Sequence, residues 1–296
     1  MIYKNTNTNY SGVSSQTSKM LSEQQIADFN TNGYIILPSL LTSDLVDKIV
    51  SEVDVWVDNG LRQKSIAKAR STTPPAIMEM DLEEHGKLIS HPPMMSILEE
   101  LMGPVFAFHH LHSDRHQPGT SPKHWHHDYE QHPQTNRSHT MIHIFYYLNG
   151  LSGNVGDLVL LPGSHQFVMN KKALSHFGDA SLPNEVVIDH LPPGSALVLH
   201  SALLHTRRAK QSNGLNTPRY FIDCSYCQGG IRWPQVKTYW RHMLAKGREL
   251  GLDRGRWPEL FNEKHFYSPF EAVPQFSTIN QGSLMEKLVE PQLLEA

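Results

Sequence analysis

Cysteine is nearly missing from this chain of 296 residues, which carries only Cys224 and Cys227. A disulfide scaffold is thereby excluded, and the composition indicates a reducing, cytoplasmic location. The sequence also lacks any apolar run near the ~20 residues of a membrane span. Its first residues contain no apolar core of the kind that defines a signal peptide. We therefore expect a cytoplasmic protein that does not contact the membrane.

Charge of either sign is also scarce. Charged residues make up 19% of the chain, and the formal net charge is -3. This balance argues against nucleic acid or an anionic membrane surface as a partner. The expected partner is a small-molecule substrate, and the sequence fits a monomer and a homodimer equally well.

The front of the chain predicts helices around one short strand. Residues 1–19 are expected to form a disordered tail, and residues 20–102 a helical front. Within that front, Ser22 and Gln25 form a capping box, and Ser43 is expected to cap a helix over 44–59. Residues 61–90 are mixed in character, and 92–102 are predicted to be a short helix.

After Gly103-Pro104 the sequence becomes rich in β-forming residues, and turn residues separate the runs. The spacing is typical of a fold that is mainly β with packed helices, a double-stranded β-helix (jelly-roll, cupin-like) core over 103–230. Residues 231–296 are expected to add a helical lid, a dimer contact or a cover over a sheet edge. The predicted strands lie in 104–116, 138–148, 156–163, 185–191, 195–206 and 219–227.

The stretch KHWHHDYEQH, residues 123–132, concentrates possible metal ligands, although 19 histidines in the chain make histidine alone a weak signal. His126 and Asp128 alternate, so on a strand they would share a face and supply two ligands of a 2-His-1-carboxylate iron site. A histidine from a distant strand would complete the site; His205 is the best candidate and His200 the second. Arg219, 14 residues after His205, suits the distal carboxylate of 2-oxoglutarate.

The order of these motifs is similar to that of the phytanoyl-CoA dioxygenase (PhyH-like) family. LSEQQIADFNTNGYIILPSLLTSDLVDKIVSEVD resembles its N-terminal helix–strand–helix, and WHHD its metal-binding motif. GDLVLLPGSHQ resembles a family segment that ends in P-G-S-H. LPPGSALVLHSALLHT followed by PRYF resembles the region of the distal histidine and the arginine. The resemblance runs from about residue 21 to 227.

The resemblance implies an Fe(II)/2-oxoglutarate-dependent dioxygenase. His126, Asp128 and His205 would hold Fe(II), Arg219 would bind the far end of 2-oxoglutarate, and O2 would be the second co-substrate. Decarboxylation to succinate and CO2 would drive hydroxylation of an unactivated C–H. The presence of Asp128 favours hydroxylation over halogenation, since related halogenases carry a small residue there.

One segment departs from the family pattern. The loop HTRRAKQSNGLNTPR is longer and more basic than the corresponding family segment. Arg207 or Arg208 could therefore bind 2-oxoglutarate instead of Arg219, and Arg207 would share a face with His205 on a continuing strand. The preceding strand commonly lends polar side chains to 2-oxoglutarate or substrate in the family, which makes His112 a further candidate.

Three alternatives stay open at this point. His124, His126 and Glu130 fit a cupin metal motif, with His165 as a fourth ligand. The basic residues Arg62, Lys64, Lys68 and Arg70 could meet the phosphates of an acyl-CoA. A jelly-roll binding protein with a degenerate site would have no turnover. The polar and aromatic residues on the strands expected to face the pocket favour an Fe(II)/2-oxoglutarate-dependent hydroxylase of a small polar molecule over these alternatives. We predict that this hydroxylase acts in natural-product biosynthesis.

Overall fold

In a computed structural model of the chain, the described residues are 19–69, 71, 73–130, 138–153, 158–169, 176–208 and 217–268. The predicted tail, except for Lys19, and the last part of the predicted C-terminal segment lie outside these residues. The domain boundaries therefore stay a prediction.

Six α-helices appear in the described residues, and five of them precede the first long strand. They are α1 (Glu23–Asn32), α2 (Ser43–Asp58), α3 (Leu61–Lys68), α4 (Glu83–Ile89), α5 (Pro92–Met102) and α6 (Trp240–Glu249). The capping box of Ser22 and Gln25 begins α1 as the sequence predicts. The start of α2 differs by one residue, because Thr42 and not Ser43 accepts the hydrogen bond of the Leu45 amide. Helices α3 and α4 lie in the region that the sequence leaves mixed.

Two antiparallel sheets form the jelly roll, and the predicted fold class is confirmed. The main sheet has the order β1 (Tyr34–Leu37), β9 (Ser195–His200), β4 (Met141–Tyr147), β11 (Arg219–Gln228), β2 (Phe106–His116). The minor sheet has the order β3 (Lys123–His126), β10 (His205–Arg207), β6 (Leu158–Leu160), β7 (Val186–Ile188). Two short pairs complete the strands, β5 (Leu151–Ser152) with β8 (His190–Leu191) and β12 (Trp233–Pro234) with β13 (Phe266–Tyr267).

The strand β4 shows how alternation divides the core. Ile142, Ile144 and Tyr146 belong to the large apolar cluster that the helices cover. Phe145 and Tyr147 point to the other face and join the cluster between the two sheets. Because successive side chains of a strand point to opposite faces, one buried strand serves both layers. The inner layer is where polar side chains gather.

The described part of the C-terminal segment covers the free edge of the main sheet. The Phe108 amide, on the edge strand β2, donates to the carbonyl of Leu260 at 2.8 Å. The Trp257 indole donates to Glu99 on α5 at 2.8 Å, which ties the segment to the helical front. Covering an edge in this way removes a site for unwanted strand pairing. Within the described residues, no helix is long and apolar enough to cross a membrane.

Candidate metal centre and active site

The side chains between the sheets form four successive rows across β2, β11 and β4. Each row consists of cross-strand partners, and alternate residues of each strand face the same side. The first row is His116 and Arg219; the second is Asp114, Phe221 and Tyr147; the third is His112, Asp223 and Phe145; the fourth is His110, Ser225 and His143.

Opposite the third row, the minor sheet brings three candidate metal ligands together. His126 on β3 is the register partner of His205 on β10, and their ring centroids lie 4.2 Å apart. Asp128 lies 3.3 Å from His205 Nε2 and 3.8 Å from His126 Nε2. One ligand atom from each residue lies within 4.8 Å of the others.

Asp128 lies close to the two histidines, but not because it alternates with His126 on a strand, as the sequence predicts. β3 ends at His126, so Asp128 does not alternate with it on a strand. Its amide instead donates to the carbonyl of Ser201 at 2.7 Å. This hydrogen bond fixes the backbone just after the strand and holds the carboxylate over the two imidazoles.

Backbone carbonyls set the tautomer of both imidazoles. His126 Nδ1 lies 2.7 Å from the carbonyl of His124, and His205 Nδ1 lies 3.1 Å from that of Leu203. A carbonyl only accepts, so each Nδ1 carries the proton and each Nε2 keeps its lone pair for a metal. His126 Nε2 is buried and has no hydrogen-bond partner among the described residues. The three residues therefore fit a divalent metal.

The electrostatics favour the protonation states that a metal requires. Burial, followed by the neighbouring His205, lowers the pKa of His126 to about 3. Burial raises the pKa of Asp128, but the nearby histidines, His126 first, hold it well below its usual value. A neutral imidazole and an ionised carboxylate are the forms that bind metal. Two nitrogens and one carboxylate oxygen are the donor set of non-heme Fe(II) sites.

A cavity of about 300 Å³ opens beside these ligands, and Arg219, Arg207 and His112 all line it. Arg219 is 4% exposed. Its Nη2 lies 3.0 Å from His116 Nδ1, and its guanidinium sits 5.8 Å from the centroid of the Phe221 ring. Arg207 Nη2 donates to the carbonyl of Ser121 at 2.7 Å. The side chain of Arg208 instead binds Glu185 at 2.7 Å, and Arg208 does not line this cavity.

His116 separates the two arginines of the cavity. Its Nε2 lies 3.0 Å from the Asp114 carboxylate, which can only accept, so Nε2 carries the proton and Nδ1 accepts from Arg219. Arg207 Nη1 approaches the same Nε2 at 3.1 Å but finds no lone pair there. Burial, followed by the charge of Arg219, lowers the pKa of Arg207. This end of the cavity is therefore suited to an anion.

The other histidines and the acid of the motif lie outside the ligand group. His124 is exposed. His127 is buried on the opposite side, where Nε2 donates to the carbonyl of Met169 at 3.1 Å. His200 accepts from the Ala202 amide through Nδ1 at 3.1 Å. Glu130 does not join the group either.

His165 lies under the first helix, and its Nε2 contacts the carbonyl of Asn30 at 3.2 Å. It also packs on His200, with the two ring centroids 5.1 Å apart. The set of four ligands that a cupin site would require is therefore not assembled from the described residues.

Two polar pairs at the cavity were not predicted from the sequence. Arg62 of α3 reaches Asp114 at 2.7 Å. Asp223, which lines the cavity, contacts His143 behind it at 2.8 Å. Asp223 alternates with Arg219 and Phe221 along β11, so its inward direction is present in the sequence as a period of two. No sequence pattern predicts the contact of Arg62 with Asp114, because it depends on how α3 packs against β2.

A jelly roll that holds two histidines of its minor sheet beside one carboxylate from the adjoining loop defines a class, the non-heme iron oxygenases. The model of the phytanoyl-CoA dioxygenase (PhyH) family matches residues 29–217. The chain belongs to this family, as its motif order indicates. It is a dioxygenase that uses Fe(II), 2-oxoglutarate and O2.

Solved structures with a similar fold share little sequence with the chain. EctD from S. alaskensis with bound Fe has a TM-score of 0.57 at 16% identity, covering 74% of this chain and 81% of that one. HygX from Streptomyces hygroscopicus with nickel and 2-oxoglutarate has a TM-score of 0.56 at 16% identity, covering 73% and 91%. SnoK, a carbocyclase from nogalamycin biosynthesis, has a TM-score of 0.56 at 14% identity, covering 75% and 90%. A comparison with curated protein sequences finds no match.

Proposed function

We propose that this dioxygenase hydroxylates an unactivated C–H of a small polar molecule in natural-product biosynthesis, with succinate and CO2 as co-products. His126, Asp128 and His205 hold the Fe(II). The observation that carries the proposal is the position of these three residues beside a cavity of about 300 Å³ that is lined mostly by polar and charged residues, with two arginines at one end.

Arg219 is the anchor for the distal carboxylate of 2-oxoglutarate. It is buried, its Nη2 is oriented by His116, and its guanidinium lies beside Tyr147 and Phe221. A buried guanidinium binds a carboxylate through strong charge-assisted hydrogen bonds. Arg207 adds a second positive charge to the same carboxylate, and His112 contacts the co-substrate or the substrate from the third row.

Bound Fe(II), with 2-oxoglutarate and O2, supplies the oxidising power that an unactivated C–H demands. The protein contributes the positions of the metal-binding side chains. The carbonyls of His124 and Leu203 keep the lone pairs of both Nε2 atoms available, so that these atoms would hold a metal, and the Ser201 carbonyl holds Asp128 in place. Phe145 packs against His205 with ring centroids 5.6 Å apart, which limits water on that side of the metal ligands.

The size and lining of the cavity support a compact polar substrate. A volume of about 300 Å³ lies at the small end for ligand sites, and co-substrate takes part of it. SnoK, which is similar in fold, comes from nogalamycin biosynthesis. The alternative is an acyl-CoA hydroxylase. Of the basic residues that could meet its phosphates, Arg62 is engaged with Asp114.

The first test is an anaerobic titration of Fe(II) and 2-oxoglutarate, which gives a weak visible charge-transfer band when both bind the metal centre. We expect the band in the wild type and in Glu130→Ala and His124→Ala, the matched controls from the same motif. Asp128→Ala should lose turnover by at least about 100-fold. A band that depends on Glu130 and not on Asp128 would support a cupin site instead.

The substrate class is tested by succinate formation with small polar compounds and with acyl-CoA esters. Turnover of acyl-CoA esters, with no stimulation by small polar compounds, would overturn the substrate assignment. His126→Ala separates the enzyme from a binding protein, because a binding protein with a degenerate site would keep its function in this variant.

A further inference from the structure

A second histidine–carboxylate pair lies beside the candidate metal centre without belonging to it. His143 is 4% exposed, and its Nδ1 lies 2.8 Å from Oδ1 and 3.0 Å from Oδ2 of Asp223. Carboxylate oxygens accept, so Nδ1 donates and the ring is held in one orientation. His143 Nε2 is buried and has no hydrogen-bond partner among the described residues. A buried polar atom left in this way costs free energy unless a ligand satisfies it.

The pairing of β4 with β11 shows on which side of the metal ligands His143 and Asp223 lie. Phe145 packs against His205 and marks the level of the ligands. Asp223, the cross-strand partner of Phe145, is four residues from Arg219 along β11, which is about 13 Å of strand. His143 is two residues from Phe145 in the opposite direction, about 7 Å along β4. Asp223 lines the cavity and His143 lies directly behind it. A co-substrate that extends toward Arg219 therefore leaves the Asp223 end of the cavity, next to His143, to the substrate.

His143 also shares an electrostatic environment with the metal ligands. Its charge is among those that hold the pKa of Asp128 below the usual range. Burial lowers the pKa of His143 itself, but Asp223, together with Asp128 and Glu130, outweighs burial and the net direction is upward. The raised pKa favours the charged form of the ring over the neutral form. Nε2 donates a hydrogen bond in one form and accepts in the other.

We propose that His143 and Asp223 form a substrate-binding pair in which His143 Nε2 hydrogen-bonds a hydroxyl group of the substrate. The inference rests on the proposed function and narrows its substrate class. A hydroxyl both donates and accepts and so pairs with either form of the ring, whereas a carbonyl only accepts. A carboxylate would bury another negative charge beside Asp223 and Asp128.

The rest of the fourth row has the same character. His110 Nδ1 lies 2.8 Å from the hydroxyl of Ser225, which is the register partner of His143. Thus all three side chains of this row carry hydrogen-bonding groups, and none is aliphatic. The substrate class that fits is a compact, hydroxyl-bearing molecule, with a hydroxyl near the carbon that is oxidised.

Two substitutions at one position separate binding of the substrate from support of the fold. The amide of His143→Asn can replace Nδ1 toward Asp223 but leaves nothing at Nε2. The longer amide of His143→Gln can reach the position of Nε2. The matched control is His85→Asn, because His85 has the same arrangement far from the cavity. Its Nδ1 lies 2.7 Å from Glu52, it is fully buried, and its Nε2 has no partner among the described residues.

The holoenzymes are assayed with cyclic polyols and monosaccharides, each beside its deoxy counterpart, and with acyl-CoA esters. Succinate formation above the substrate-free rate is the readout, and the charge-transfer band reports metal and 2-oxoglutarate binding. We expect the wild type to prefer a hydroxylated compound over its deoxy counterpart by about 10- to 100-fold in kcat/KM. His143→Asn should lose this preference, His143→Gln should keep part of it, and all variants should keep the band.

The possible failures are distinguishable. If the wild type has no band, the proposed function fails and the inference falls with it. With the band intact, an unchanged preference in His143→Asn overturns the inference alone. So does a screen in which no hydroxylated compound stimulates turnover. Loss of the band in His143→Asn but not in His85→Asn would assign the pair to support of the metal ligands, which also contradicts substrate binding.

Discussion

The two arginines of the cavity differ in their surroundings, and the difference predicts unequal roles. Arg219 is buried and oriented by His116, whereas Arg207 is less buried and also donates to the Ser121 carbonyl. We expect Arg219→Ala to raise the KM for 2-oxoglutarate by about 100-fold and Arg207→Ala by about 10-fold. Titration of the charge-transfer band with 2-oxoglutarate gives the affinities directly.

The neighbouring arginine is the control for that comparison. Arg208 follows Arg207 in the chain but binds Glu185 and Ser181. Arg208→Ala should therefore leave the KM for 2-oxoglutarate unchanged. An effect of Arg208→Ala as large as that of Arg219→Ala would show that the anchor has been assigned to the wrong residue.

His109 gives the folded protein a stability that depends on pH. Burial lowers its pKa to about 4, while the unfolded chain titrates near 6.5. The unfolded state thus binds the proton more tightly, so this contribution is complete above pH 6.5 and is lost as the pH falls toward 4. The expected loss is on the order of 2–3 kcal/mol.

His109→Gln tests this contribution, because glutamine does not titrate and its amide can still donate to the Pro234 carbonyl, the partner of His109 Nε2 at 3.1 Å. Urea unfolding of both proteins between pH 7 and pH 4 gives the comparison. The wild type should lose more stability than the variant across this range. Parallel pH dependences would mean that His109 is not held neutral in the folded state.

The helix α6 contains a glycine, Gly247, at a position where helix propensity favours alanine but packing against Phe261 opposes it. Alanine is favoured over glycine inside a helix by about 1 kcal/mol. A Cβ at Gly247, however, would lie 2.5 Å from the ring of Phe261. We expect the contact to dominate, so that Gly247→Ala lowers the free energy of unfolding by about 1–3 kcal/mol.

Denaturant unfolding of the double variant Gly247→Ala/Phe261→Leu provides the check. The smaller leucine should remove the clash, so the alanine should cost less in this background than in the wild type. If Gly247→Ala stabilises the wild type, helix propensity outweighs packing, and the close approach of α6 to Phe261 is not required.

The elements that could be predicted from the sequence are those whose pattern is local. Alternation predicts the strands that contain 106–116 and 219–227, and apolar periodicity predicts the helix 92–102. Helix α3 could not be predicted, because its residues LRQKSIAK have little amphipathic pattern and no capping side chain at Gly60. It is held by contacts from elsewhere, including that of Arg62 with Asp114.

The candidate site divides in the same way. His126 and Asp128 could be found from one short motif, and His205 from the order of the motifs, although Asp128 does not lie on the strand as expected. The inward side chains of β2 could be found from alternation along that strand. The pairing of His143 with Asp223 joins residues that are 80 positions apart. It depends on the register between β4 and β11, which no local pattern determines. The same holds for the position of His116 between two arginines.

At the scale of the whole molecule, the active site joins the two sheets. The minor sheet supplies His126 and His205, the main sheet supplies Arg219, and the cavity lies between them. On the proposed assignment, metal and 2-oxoglutarate together would bridge parts of the fold that are distant in the chain. Ligands that bind only the folded state stabilise it by mass action, by about 2.7 kcal/mol at 100 times the Kd.

Thermal unfolding under anaerobic conditions tests this bridging role. Fe(II) with saturating 2-oxoglutarate should raise the Tm by about 5–10 °C, given the usual 2–4 °C per kcal/mol for a chain of this size. Arg219→Ala should keep the increase in Tm that the metal causes and lose most of the further increase that 2-oxoglutarate causes, since this variant lacks only the proposed distal anchor. His126→Ala should reduce both increases in Tm, because in the proposed site 2-oxoglutarate would be held by the metal as well as by Arg219. An undiminished 2-oxoglutarate increment without metal would place the co-substrate away from His126, Asp128 and His205, and would contradict the assignment of the cavity between the sheets.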